Sequence, residues 1–304
     1  MLPKINSYND TPDDDLDVLA EFISHSENDY GSGMDNLSIA YMNRELAIQG
    51  RCSFIDPYYV AGNASRLYSQ LVGQKNNQYL VTSSIQVYGD NNAPNKNLDN
   101  LFVNTLEAIH NLDVLYDIKF DKIFIPIGCQ ENNKIGHNIA LILENHNGEY
   151  RATVLDQLGL DGYKKTKLKM IKQMESLGLR DIDVNLSSLT VDNRMDCVSV
   201  VSLLRDHTLD GEDIRVLKDL FDSDKKPVKF TEEAVNKQHK KDQDIVYNSC
   251  IRLATDIIKR DAEAIVALKG IGGLDTPESK VRSYVRHHMN NKNNHYTKTK
   301  YRER

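Results

Sequence analysis

The sequence predicts an α+β fold: a small mixed sheet packed between helices, with a helical C-terminal extension. Three observations predict it. Asp121–Asp156 carries three strand-sized apolar runs in close succession. Stretches with helical apolar spacing flank that region on both sides. After Gly211 the strand patterns stop, and Ile245, Val246, Cys250, Leu253, Ile257, Ile258, Ile265 and Leu268 suit one long packed helix.

Each element has its own signal. Helical-looking stretches occur at Leu37–Met42 and Ala64–Val72. The segment 78–88 begins with β-branched and aromatic residues and reads as a strand or a short helix before the loop at Gly89–Asn92. Leu98, Leu101, Phe102, Leu106, Ile109, Leu112 and Leu115 form one apolar helix face. Asp121–Ile127 is a buried-strand pattern, His137–Glu144 a second strand and Tyr150–Asp156 a third. Asn145-His-Asn-Gly between the last two is a tight turn ending in glycine. Lys164–Leu177 is a basic helix stopped by Gly178, and Ile182–Leu186 alternates like a strand. Cys197 then opens an apolar helical run.

These elements divide the chain into three parts: an acidic N-terminal arm at 1–35, a catalytic domain at 36–215, and a helical extension with a basic tail at 216–304. The arm carries nine acids against Lys4, and residues 279–304 carry eight bases against Glu303. The net charge is -6. With the middle nearly balanced, a nucleic-acid partner is not expected, while the tail is suited to touch an acidic partner or a membrane surface. No apolar run approaches the roughly 20 residues that cross a bilayer, so no transmembrane segment is expected. The four cysteines (52, 129, 197 and 250) include no CxxC pair. Neither a disulfide framework nor a metal site is expected, no cofactor is called for, and the compartment reads as reducing.

Three residues carry the chemistry. A nucleophilic thiol needs a helix N-terminus that favours the thiolate, an imidazole that takes its proton, and a third group that orients the imidazole. Cys197 stands where a polar loop meets an apolar helical run. His137 opens one strand, and Asp156 closes the next. Their separation, 156 − 137 = 19 residues, suits two strands of about seven residues and a turn, which brings the two side chains to one sheet end. Cys250 reads as a core thiol, Cys129 as a bystander beside the site, and Cys52 has no supporting pattern. Among the other histidines, His110 and His146 read as surface residues, His207 as a weak site candidate, and His287 and His288 as neighbours of the basic tail. Gly270-Ile-Gly-Gly reads as a helix stop and not as a phosphate loop, because no Lys-Ser/Thr follows it.

The order of pieces resembles the clan CE cysteine proteases, which include the SUMO and ubiquitin-like-protein proteases and related bacterial effector deubiquitinases and acetyltransferases. The pieces are Lys122-Ile-Phe-Ile-Pro-Ile, Gly136-His137-Asn138, Val154-Leu-Asp156-Gln157 and Met195-Asp196-Cys197-Val198. They span roughly Gln78–Arg205, less than half the chain. The resemblance implies a papain-like cysteine protease core with His137, Asp156 and Cys197 as catalytic triad. It implies an isopeptidase acting on ubiquitin or a ubiquitin-like protein and its conjugates. Three positions depart from the pattern. Asn138 stands for the usual Trp, Val198 for the Gly after the Cys, and Val191 for the oxyanion Gln. Of the residues near that last position, Asn193 is the neutral side-chain donor and is the candidate for the oxyanion site; Asp192 is not neutral, and the backbone N–H of Cys197 is a further donor.

Two other functions fit the same resemblance. One is acetyl-CoA-dependent protein acetylation, for which that branch of the clan carries Glu at the acid position, where this chain has Asp156. The other is a catalytically degenerate module that binds a ubiquitin-like fold without cutting it. The Asn, Lys, Tyr and Ile content suggests an AT-rich genome. Together with the resemblance, it points to a bacterial effector secreted into a host cytoplasm.

Overall fold

The computed structural model describes residues 36–60, 63–74, 76, 78–90, 93–131, 136–158, 162–179, 182–184, 197–213 and 232–260. The chain divides into two units, Gly33–Asp242 and Met1–Ser32 with Gln243–Arg304. The sheet, the core and the candidate site all lie in the first. The acidic arm, Asn193, Gly270–Gly273 and the basic tail lie outside the described residues.

In chain order the elements are α1 (Asn36–Ile48), β1 (Ser53–Ile55), α2 (Pro57–Val60), α3 (Ala64–Leu71), β2 (Tyr79–Thr82) and β3 (Ile85–Tyr88). Then come α4 (Lys96–Asp99), α5 (Leu101–Tyr116), β4 (Lys122–Gln130), β5 (His137–His146) and β6 (Glu149–Leu155). They end with α6 (Lys164–Ser176), β7 (Ile182–Val184), α7 (Cys197–Leu209) and α8 (Glu232–Arg260). The fold is the expected α+β arrangement, a seven-stranded mixed sheet with helices on both faces. Strand order is β1-β2-β4-β5-β6-β7, with β3 also on β4. β4, β5 and β6 form an antiparallel meander, and the remaining pairings are parallel.

The period-2 geometry of β5 sorts the core into two layers. Ile139, Leu141 and Leu143 join the cluster that holds Leu67, Phe102, Leu106, Met170 and Met174 of α3, α5 and α6. Ala140 and Ile142 join the cluster that holds Leu46 of α1 and Val200, Val201 and Leu204 of α7. Because β4 is covered on both sides, it reads as a continuous apolar run and not as an alternating one.

Segment 78–88 is neither one strand nor a helix. It is two strands on the same edge of β4, split at Ser83-Ser84. β2 pairs Val81 with Phe124, while β3 resumes with Ile85 opposite Ile127. Four steps on one strand therefore match three on the other, an extra residue placed beside Pro126. The proline has no N–H to give the ladder, so the interruption falls where a bond is already missing. The hairpin from β5 to β6 closes through Asn147 and Gly148, both left-handed at φ 56° and 94°. Two such residues in succession make the turn whose twist suits paired strands, and this sets the register that brings His137 and Asp156 to one end.

The long apolar helix expected from Leu98 to Leu115 is interrupted at Asn100, which ends α4 and caps α5. Leu115 at its far end is 64% exposed and takes no part in the core. It lies in the last turn, just before the left-handed Asp117 turns the chain away. No described helix is long and apolar enough to cross a membrane.

Candidate active site

His137, Asp156 and Cys197 come together at one end of the sheet. β5 begins at His137, and β6 ends one residue before Asp156. The β5–β6 ladder starts at Ala140 opposite Leu155, so both residues stand just beyond the paired region. His137 Nε2 and Asp156 Oδ1 are 2.7 Å apart, and both side chains are buried. Asp156 Oδ1 also accepts from the Leu158 N–H at 2.8 Å, which folds the chain back over the carboxylate as it leaves the strand. With Nε2 committed to Asp156, Nδ1 is the ring nitrogen left for the thiol, and Cys197 acts as a second hydrogen-bond partner of the imidazole. Cys197 is the first residue of α7 and is half-buried.

The charges follow from these contacts. Burial alone would lower the His137 pKa, but the hydrogen bonds to Asp156 and Cys197 raise it to about 9. The imidazole therefore carries its proton through the neutral range. Burial would raise the Asp156 pKa, but the His137 hydrogen bond and charge, with the Lys167 ammonium beside it, hold it below its ordinary value. Burial pushes Cys52 up to about 12 and pushes Cys129 well above the ordinary thiol range. Both thiols are fully inside the core. Cys129 stands opposite His137 in the β4–β5 register, near the site but with its thiol buried.

Three neighbours were not evident in the sequence. Lys167 is buried and pairs its ammonium with Asp156 Oδ2. It lies three and seven residues before Met170 and Met174 on the inward stripe of α6. A lysine on an apolar stripe is a signal in itself, because a buried cation requires an acid facing it. Tyr163 stacks its ring on His137 with centroids 5.1 Å apart and planes 19° off parallel. It does so from a left-handed backbone, φ 53°, a conformation that costs a tyrosine about 1–2 kcal/mol. Ser84, in the break between β2 and β3, donates its hydroxyl to Asn138 Oδ1 at 3.3 Å.

Asn138 and Val198, two of the departures from the clan pattern, differ in what they do here. Val198 is a core residue of α7, 1% exposed. Asn138 touches the thiol: its backbone N–H donates to Cys197 Sγ at 3.4 Å, and its side-chain Nδ2 lies 4.0 Å from the same sulfur. Asn193, the candidate for the oxyanion site, and Val191 lie outside the described residues. His110 and His146 are exposed as expected. His207 pairs with Glu212 at 3.0 Å, in the last turn of α7 at the opposite end from Cys197. Among the described residues no cluster of His, Cys, Asp and Glu is arranged to hold a metal ion.

An imidazole held between a carboxylate and a thiol can move a proton between sulfur and a leaving group, which is the arrangement acyl chemistry at a thiol uses. No protein-family model matches the chain, and comparison with curated protein sequences finds no match. Among solved structures, the chain is similar to the Legionella pneumophila effector protein RavZ, at 12% identity and a TM-score of 0.40 over 71% of this chain. The match spans 64% of that structure, just under two thirds of its length.

Proposed function

We propose that the chain is a cysteine isopeptidase that releases ubiquitin or a ubiquitin-like modifier from its conjugates. The observation that carries this reading is the His137 imidazole, bonded through Nε2 to Asp156 and facing the Cys197 thiol at the start of a helix.

Cys197 is the nucleophile. His137 already holds the proton, and Sγ attacks the carbonyl carbon at the modifier C-terminus. The carbonyl electron pair moves to oxygen, and the backbone N–H of Cys197, which as a first-turn donor has no acceptor within its own helix, is one group to receive that charge. The pair returns as the C–N bond breaks, and the departing amine takes the proton from His137. Water then attacks the thioester with His137 as base, and Cys197 is restored. Asp156 orients the ring and stabilises its charged form. Lys167 holds Asp156 in place and keeps it ionised, and Tyr163 covers the ring face.

The setting is proposed to be a host cell entered by a bacterial effector, on the strength of composition and clan resemblance. Ubiquitin and ubiquitin-like proteins bearing a C-terminal electrophile test the reading. The expected result is a covalent adduct at Cys197 with at least one modifier. Failure of every modifier to form one would sink the isopeptidase reading, and autoacetylation from labelled acetyl-CoA would replace it with acyl transfer.

A further inference from the structure

We infer that Asn138, the residue that follows the histidine, is a catalytic residue that supplies the oxyanion site with two donors, its backbone N–H and its side-chain amide. This deepens the proposed function and rests on the reading of Cys197 as nucleophile.

The backbone donor is left over by the sheet. The β5–β6 ladder begins at Ala140 and leaves Asn138 without a paired residue on β6. Its N–H points instead at Cys197 Sγ, 3.4 Å away. The side-chain donor is aimed by Ser84. Asn138 Oδ1 accepts from the Ser84 hydroxyl at 3.3 Å, which turns Nδ2 toward the sulfur at 4.0 Å. The opposite flip would set a carbonyl oxygen against the sulfur, a repulsive arrangement once the thiol ionises. Ser84 is itself 1% exposed and sits in the strand break that Pro126 imposes. The amide is thus built into the sheet edge.

The alternation of β5 separates the two jobs. His137 lies on the strand face of Ile139 and Leu141, under Tyr163, and Asn138 lies on the face of Ala140 and Ile142, toward α7. Base and amide therefore approach one sulfur from different sides. In the addition step the carbon–sulfur bond forms and the carbonyl pair moves to oxygen. That oxygen is two bonds from Sγ, so donors placed 3.4 and 4.0 Å from Sγ lie within hydrogen-bond reach of it. The clan's oxyanion glutamine, which this chain replaces with Val191, is then not required.

The experiment compares two reactions of the same thiol on the full chain, each followed by mass analysis of the Cys197 peptide. Iodoacetamide alkylates Sγ by displacing iodide, with no oxyanion. p-Nitrophenyl acetate acylates it through a tetrahedral oxyanion and then loses p-nitrophenolate, while His137 keeps its proton. Asn138→Ala is expected to slow acylation on the order of a hundredfold, the cost of one oxyanion donor. Alkylation, governed by the thiolate, should stay within about threefold. Ser84→Ala, which only releases the amide, should lower acylation about fivefold, the worth of one neutral hydrogen bond. Asn138→Gln should recover part of the loss.

Acylation by Asn138→Ala at the wild-type rate overturns the inference, and so does an equal fall in both reactions, which would mean a structural role. A wild-type Cys197 alkylated no faster than free cysteine overturns the nucleophile itself and the inference with it. Absence of any modifier adduct, with the acylation-to-alkylation ratio still dependent on Asn138, removes the isopeptidase reading and leaves the oxyanion role standing.

Discussion

The helix α7 has a buried charge cluster at each end, and the two differ in kind. At its start are His137, Asp156 and Lys167 beside the half-buried Cys197. Toward its far end are Arg205, Asp206 and Asp242, with Asn43, Gln238 and Lys241. In the second cluster the Arg205 guanidinium donates to Asn43 Oδ1 at 2.7 Å and to Asp206 Oδ1 at 3.0–3.1 Å. Asp206 Oδ2 receives Lys241 at 2.5 Å and Gln238 at 3.2 Å. This cluster ties α1, α7 and the start of α8 together, and the thiol beside it, Cys52, is buried, with its pKa pushed up to about 12. Burial of charge alone therefore does not mark a reactive centre. The first cluster differs because a titratable ring stands between its acid and a thiol that solvent reaches.

The sharpest way to break that contrast is Cys197→Ala. It should lower modifier cleavage by about 10^4-fold or more in a steady-state assay while leaving the melting temperature nearly unchanged. A comparable loss from disrupting the far cluster, measured per folded molecule, would erase the distinction. Arg205→Met should instead cost about 3–5 kcal/mol in urea unfolding, because it removes the buried guanidinium that faces both Asp206 and Asp242. The activity of the fraction that remains folded should be preserved.

The pH dependence separates the clusters by sign. His137 is raised from 6.5 to about 9, so its contribution to stability is fully present below pH 6.5 and is lost as pH rises through about 9. Asp156→Asn should flatten that fall and lower stability at pH 7 by an amount on the order of 2 kcal/mol. Asp242 behaves in the opposite way. Burial raises it to about 7, with Arg205 only partly offsetting, so folding is opposed increasingly as pH rises from 3.8 to about 7. Asp242→Asn should therefore raise stability at pH 8 on the order of 2 kcal/mol, and a loss there would show that its charge is compensated in the fold. The smallest expected effect is at the rim of the far cluster. Arg51 bonds the exposed Asp210 at 2.8 Å, and Arg51→Ala should change stability by less than about 1 kcal/mol.

Much of the site is legible in the sequence because its parts are local. The strand-opening His137, the strand-closing Asp156 and the turn at Asn147-Gly148 lie within one hairpin, whose period and length are set by neighbouring residues. Cys197 is legible as the start of an apolar helix. The Lys164–Leu177 segment reads only as a basic helix, yet Lys167 is buried against Asp156. Segment 78–88 reads as a single ambiguous stretch because its break is imposed by Pro126 on another strand. Leu115 satisfies the apolar spacing of its helix but falls past the end of the surface that α5 covers.

The sequence by itself determined the α+β plan, the meander and the three residues at its end, since short-range periodicity and turn chemistry are written along the chain. Only the tertiary structure decided what surrounds them. Asn138 stands against the thiol because β6 stops short of it and Ser84 turns its amide. Lys167 is an ion-pair partner because α6 docks over Asp156. These are meetings between segments 54 and 11 residues apart in sequence. Such encounters are decided by which strand edge is left unpaired and which helix face packs inward.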